Sequence, residues 1–252
     1  MSRPKDIAGP ESIAGPESTV RRAELAERLH QVRERIAAAC AAAGRDVAEI
    51  TLIAITKTRP ASDVRLLYEL GQRDYGENRD QEAAPKAARC ADLPITWHFV
   101  GQLQTNKVAS VARYADIIHS VDRLRLVRAL GNAARRQERV LTCLIQVNLS
   151  GPDGDPGRGG APADQVGPLA AAIASEAGLV LGGVMAVAPL GVPATGAFTR
   201  LAPAAAAVRA VRPAATIISA GMSGDLEEAV AADATHLRIG PALLGDRRPP
   251  LM

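Results

Sequence analysis

Eight short apolar runs, each followed by a stretch of helical spacing, recur along this chain. The pattern predicts strands over 49–56, 73–76, 95–100, 116–120, 141–148, 181–187, 215–219 and 235–239. Helices are expected near 62–70, 78–90, 104–113, 122–138, 164–176, 195–211 and 224–232. One more, from Thr19 to Ala43 and closed by Gly44, precedes the first strand. The first run, Ile50-Thr51-Leu52-Ile53-Ala54-Ile55-Thr56, lacks polar alternation, as a strand buried on both faces of a parallel sheet does. Parallel strands need helical crossovers of one hand. Eight such units in roughly 230 residues predict an α/β fold, a closed (β/α)8 TIM barrel with an extra N-terminal helix. An open doubly wound sheet is the alternative, although no G-x-G-x-x-G follows the first strand.

Apolar residues make up 47% of the chain and aromatics 2%, so the core must be built from small aliphatics. The net charge is +3, and no dense basic run is interleaved with aromatics, so no nucleic-acid partner is expected. Cys40, Cys90 and Cys143 are widely spaced, without a CxxC or Cys/His cluster, so neither a metal site nor a disulfide framework is expected. With no bilayer-length apolar stretch and no secretory signal, a reduced, cytoplasmic protein with no membrane partner is expected.

Near the N-terminus, Ile7-Ala8-Gly9-Pro10-Glu11-Ser12 is repeated at once as residues 13–18. Two Gly-Pro steps in a polar tract oppose regular structure, so residues 1–18 read as a disordered tail and 19–248 as the barrel domain. The Gly- and Pro-rich stretch 151–160 reads as an exposed flexible insertion, with a mobile lid as the alternative.

Three features suggest chemistry. Lys57 follows the first strand, at the end where barrels build their sites, and a partly desolvated lysine amine suits an aldehyde. A lysine that merely reaches solvent is the alternative. The stretch Ser219-Ala220-Gly221-Met222-Ser223-Gly224-Asp225 reads as a strand end, a glycine turn and a helix start. Ser223 or Asp225 would cap that helix near the usual phosphate position of a barrel. Arg238 lies inside the short apolar eighth strand, where a cation needs a partner: a polar ligand or an acid such as Glu77. Gly240 at the end of that strand permits close approach of a ligand to the backbone. An electrophile, a phosphate and a group facing an arginine describe pyridoxal 5'-phosphate.

The segments Ile55-Thr56-Lys57-Thr58-Arg59-Pro60, Tyr75-Gly76-Glu77-Asn78, Trp97-His98-Phe99-Val100-Gly101-Gln102-Leu103-Gln104-Thr105-Asn106-Lys107 and His119-Ser120-Val121-Asp122 resemble the pyridoxal phosphate homeostasis protein family. So do Gly221-Met222-Ser223, with Asp225 and Glu228, and Arg238-Ile239-Gly240. The resemblance covers about residues 22–246. It implies a single fold-type III barrel like the N-terminal domain of alanine racemase, with pyridoxal phosphate held as a Schiff base on Lys57. It also implies a phosphate held by Ser223 and the backbone around Gly240, Arg238 facing the pyridine nitrogen, and Asn78, Gly221 and Met222 near the cofactor. Such proteins bind, buffer or deliver the cofactor, meeting cofactor-dependent apo-enzymes only transiently, and a monomer is expected. One departure is Pro241, where the family has Thr or Ser. That change removes a hydroxyl and an N–H, at a cost of about 1.5–3 kcal/mol, roughly ten- to a hundredfold in affinity.

An amino-acid racemase on the same barrel is the second reading. It needs a second acid/base, which alanine racemases take from a tyrosine of an added domain. The chain ends at Met252 just after the last barrel unit, so no such domain is expected, and Tyr75 is the one barrel tyrosine left as a candidate. A phosphate-binding barrel without aldehyde chemistry is the third, in which Lys57 would hardly matter.

Overall fold

The computed structural model describes residues 15–149, 159–189 and 193–245. Eight parallel strands close into a barrel in sequence order: β1 (Thr51–Ile55), β2 (Asp74–Glu77), β3 (Thr96–Phe99), β4 (Ile117–Val121), β5 (Leu141–Gln146), β6 (Leu179–Met185), β7 (Ile217–Ser219) and β8 (His236–Ile239). Pairing of β8 with β1, Ile239 opposite Ala54, closes the ring. The open-sheet alternative is thereby excluded.

The surrounding helices are α1 (Pro16–Ala43), α2 (Ala61–Glu69), α3 (Asp80–Arg89), α4 (Val108–Val111), α5 (Leu124–Arg136), α6 (Ala163–Ser175), α7 (Ala194–Thr199), α8 (Leu201–Val211), α9 (Leu226–Ala231) and α10 (Pro241–Leu244). The jacket core between strands and helices is one cluster of aliphatics and alanines, among them Ala54, Leu67, Val111, Ile118, Leu130, Ile173 and Leu237. Small residues let the helices sit close, so the scarcity of aromatics costs no packing.

Helix α1 buries Leu25, Leu29, Val32, Ile36 and Cys40, one stripe at helical spacing. The stripe packs against α9 and α10, plugging one side of the jacket. Gly44 ends the helix at φ 66, with Arg45 N–H donating to Cys40 O, a left-handed cap that glycine adopts at low cost.

Several boundaries differ from the sequence expectation. Helix α1 opens at Pro16, three residues inside the expected tail: a proline in the first turn has no N–H to waste and its φ is already helical. Pro60, not Ser62, sits at the start of α2. The helix expected over 195–211 is two, divided at Arg200. The one expected over 104–113 shrinks to a 3-10 turn, Thr105–Lys107, and the single turn of α4. Residues 1–14 and most of the 151–160 insertion lie outside the described residues, so the tail and lid readings stay as expectations.

Candidate functional site: the carboxyl-end mouth of the barrel

Every residue expected at the site, Arg238 excepted, follows the carboxyl end of a strand, and Arg238 sits near the end of its own. Ile55 pairs with Gly76, so Lys57 and Asn78, each two residues further on, are neighbours at the β1 and β2 ends. On the other side Ile239 pairs with Ala54, so Gly240 continues the register beside Ile55. Lys57 therefore leaves β1 between the strand ends that carry Asn78 and Gly240. It is half-buried and makes no hydrogen bond or ion pair among the described residues.

Although the amine is free, its backbone is clamped. Thr56 N–H donates to Gly76 O at 3.0 Å, and Thr56 Oγ1 to Glu77 Oε1 at 2.6 Å. Lys86, reaching back from α3, donates its amine to Thr56 O at 2.6 Å and forms a close ion pair with Glu77. On the other side, Thr58 N–H donates to Glu82 Oε2 at 2.9 Å. Thr58 lies at φ 64, where a β-branched residue costs on the order of 1–3 kcal/mol. The packed surroundings therefore hold Lys57 in one strained, defined turn.

This clamp was not read from the sequence. Glu77 and Lys86 lie on different elements, and nothing in the spacing announces that a lysine of α3 turns inward. The sequence did mark Glu77, but as an alternative partner of Arg238. That pairing does not form, because Glu77 faces the jacket and Arg238 the barrel interior.

Arg238 is buried at 5% exposure. Nη1 donates to Ser219 Oγ at 2.7 Å and Nη2 to Ala186 O at 2.8 Å, and no carboxylate contacts it among the described residues. Burial lowers the guanidinium to about 10, with Asp225 pulling weakly the other way, so it stays charged at neutral pH. A buried cation bonded only to neutral acceptors is costly and suits a polar ligand.

The β7 and β8 loops come together as expected. Arg238 N–H donates to Gly221 O at 3.0 Å, and Ala242 N–H points at Ser223 Oγ at 3.5 Å. Gly221 is required by the fold: it lies at φ 88, and a Cβ there would stand 2.6 Å from that of Ala229. Gly240 is different, for an added Cβ would meet nothing closer than 3.6 Å, leaving a small open cradle. Met222 is exposed at 38%, and its N–H is taken by Asp225 Oδ1 at 2.6 Å. Neither Ser223 nor Asp225 caps α9 through its side chain, because Asp225 turns back to Met222 and Ser223 faces α10.

The donor set fits an aldehyde phosphate with a ring acceptor. Its components are a free amine, the Gly240 cradle beside a serine hydroxyl and a buried guanidinium without a carboxylate partner; the buried Asn78 Oδ1, an acceptor, also has no partner. Tyr75 does not belong here. Its hydroxyl donates towards Val64 O and Gln72 O in the jacket, and burial raises it far above the usual range. Tyr68 stacks under Arg73 and Tyr114 precedes β4, so none of the three tyrosines faces the mouth.

The fold and the lysine at the β1 end define a class, the alanine racemase N-terminal-domain barrel, and the family model "Alanine racemase, N-terminal domain" matches residues 27–248. Within that class, the chain belongs to the pyridoxal phosphate homeostasis protein family. It is 44% identical over 248 residues to the Mycobacterium tuberculosis (strain H37Rv) protein of that name, covering 90% of this chain and 95% of the relative. To the Escherichia coli (strain K12) protein of that name it is 39% identical over 230 residues, covering 89% and 97%. PipY of Synechococcus elongatus PCC7942, solved with PLP bound, superposes with a TM-score of 0.75 at 33% identity, covering 88% of this chain and 100% of PipY.

Proposed function

We propose that this protein binds pyridoxal 5'-phosphate in the carboxyl-end mouth and serves intracellular supply of the cofactor by binding, buffering or delivering it, without turning over a substrate. The observation that carries the reading is the free amine of Lys57, set on a clamped turn beside Asn78 and Gly240. Lys57 would hold the aldehyde through its amine, as a Schiff base. Ser223 Oγ and the backbone at Gly240 hold the phosphate, and Arg238 faces the ring nitrogen. When bound, the cofactor supplies an electron sink, and an arginine that keeps its own proton leaves that sink weak. Asn78, Gly221 and Met222 border the cofactor.

The racemase reading lacks support at the site, since no tyrosine faces the mouth to act as the second base. The buried thiols Cys40, Cys90 and Cys143 form no disulfide, and a reduced, cytoplasmic setting is part of the proposal. Among the described residues no helix is long and apolar enough to cross a membrane. Cofactor-dependent apo-enzymes would be transient partners, and the protein would act as a monomer.

The test is an absorbance titration of the purified chain with pyridoxal phosphate, followed by incubation with L- and D-amino acids. A visible band should appear on loading, and no amino acid should change configuration. A colourless titration would defeat the binding reading, and steady racemization would defeat the carrier reading.

A further inference from the structure

Arg238 also begins a line of four hydrogen bonds that crosses the barrel interior to the opposite rim. Ser219 Oγ, which accepts from Arg238 Nη1, lies 3.0 Å from His119 Nδ1. His119 Nε2 lies 2.9 Å from His98 Nδ1, and His98 Nε2 lies 3.0 Å from Asp74 Oδ1. Each residue comes from a different strand: β8, β7, β4, β3 and the first position of β2. Ser219 and His119 are fully buried and His98 nearly so, while the Asp74 side chain keeps 27% exposure.

The two ends fix the direction of the line. A guanidinium can only donate, and an ionised carboxylate can only accept. With Arg238 donating to Ser219 Oγ, the hydroxyl hydrogen has His119 Nδ1 as its acceptor among the described residues. His119 then carries its proton on Nε2 and donates to His98 Nδ1, and His98 carries its proton on Nε2 and donates to Asp74. Every donor finds an acceptor, with both imidazoles neutral. The reverse direction makes His98 a second buried cation and leaves the Ser219 hydrogen without an acceptor, and both cost free energy. Burial above all holds His119 well below its usual range, in agreement with the neutral form.

We propose that Asp74, His98, His119 and Ser219 are positioning residues, a one-way hydrogen-bond chain that balances the buried charge of Arg238 against a carboxylate on the far rim. The chain locks Nη1 onto Ser219 and so determines which Arg238 N–H groups remain for a ligand in the mouth. That the ligand is pyridoxal phosphate rests on the proposed function, whereas the chain itself does not.

Two readouts separate the parts. Imidazole 15N–1H correlation spectra of the cofactor-free protein at neutral pH report the tautomers directly. His98 and His119 should both be neutral and protonated on Nε2. An Nδ1-protonated His119, or a His98 imidazolium, would overturn the proposal. Asp74→Asn, conservative and at a partly exposed position, should let the tautomers mix and weaken pyridoxal phosphate binding by roughly three- to tenfold, the size of coupling expected within one network. Ser219→Ala should break the line at its centre with a similar loss, while adduct formation on Lys57 persists. If the tautomers are as stated and both variants bind like wild type, the chain does not reach the ligand and the proposal falls, with the Lys57 reading intact. If wild type binds no pyridoxal phosphate, the proposed function fails, and the spectra still decide the chain.

Discussion

Lys57 follows Thr56 in the chain and Lys86 binds the Thr56 carbonyl, yet the same side chain meets opposite fates there. Lys86, 6% exposed, is spent in the jacket on Glu77 and Thr56 O. Lys57, at the carboxyl end of β1, has no hydrogen bond or ion pair among the described residues. The wider regions differ in the same way. The jacket cluster of Thr56, Glu77 and Lys86 sets one carboxylate against one ammonium, with Glu77 Oε2 left as its one buried atom without a partner. The barrel interior instead spreads its polarity over five strands and ends in a cation that no carboxylate touches among the described residues. An ion pair bonded to the main chain fixes backbone, whereas a cation without a carboxylate is left to meet a ligand.

The jacket should give the largest stability effect. Lys86→Met leaves Glu77 buried without its partner, and breaking such a pair costs about 3–5 kcal/mol. Urea unfolding at neutral pH measures it, and a loss below about 1 kcal/mol would mean that the pair clamps nothing.

The two regions should also respond to acid with opposite signs. Burial raises Glu77, against the pull of Lys86 and Thr56. The folded chain then holds that proton more tightly than the unfolded one, so the Lys86→Met deficit should shrink as pH falls. In the interior, burial holds His236 down to about 4, with His98 acting in the same direction. Its contribution is complete above about 6.5 and is lost as pH falls towards 4, about 3 kcal/mol in all. His236→Asn should therefore flatten the acid limb of a stability–pH curve measured by urea unfolding. An unchanged limb would show that His236 is not held neutral.

Next in size is Pro241. Restoring Thr there returns a hydroxyl and an N–H beside Ser223, and pyridoxal phosphate should bind roughly tenfold tighter by absorbance titration. The smallest expected effect is on the stability of Lys57→Met, within about 0.5 kcal/mol of wild type, because the amine makes no hydrogen bond or ion pair among the described residues. A large loss would place Lys57 in the structural framework with Lys86.

The legibility of the two regions in the sequence follows from their chemistry. The β1 run and the lysine behind it could be read because a strand buried on both faces is a continuous apolar word. Arg238 stood out as the one arginine in such a word. His98 and His119 were visible in their motifs but gave no role, since Asp74 and Ser219 lie 24 and 100 residues away from them in the chain. Contacts between strands of a barrel depend on register, which single-strand patterns do not carry. The Glu77–Lys86 clamp was hidden for the same reason, and so was the left-handed turn at Thr58. The division at Arg200 was missed, although Pro203 in the first turn of α8 is a helix-start signal that could have marked it.

The most direct test of the central claim is to reduce the pyridoxal phosphate-loaded protein with borohydride and map the modified peptide by mass spectrometry. The chain has four lysines, at 5, 57, 86 and 107, so the assignment is unambiguous. The adduct should fall on Lys57, spare Lys86 and vanish in Lys57→Met. An adduct confined to another lysine, or one that survives in Lys57→Met, would contradict the account.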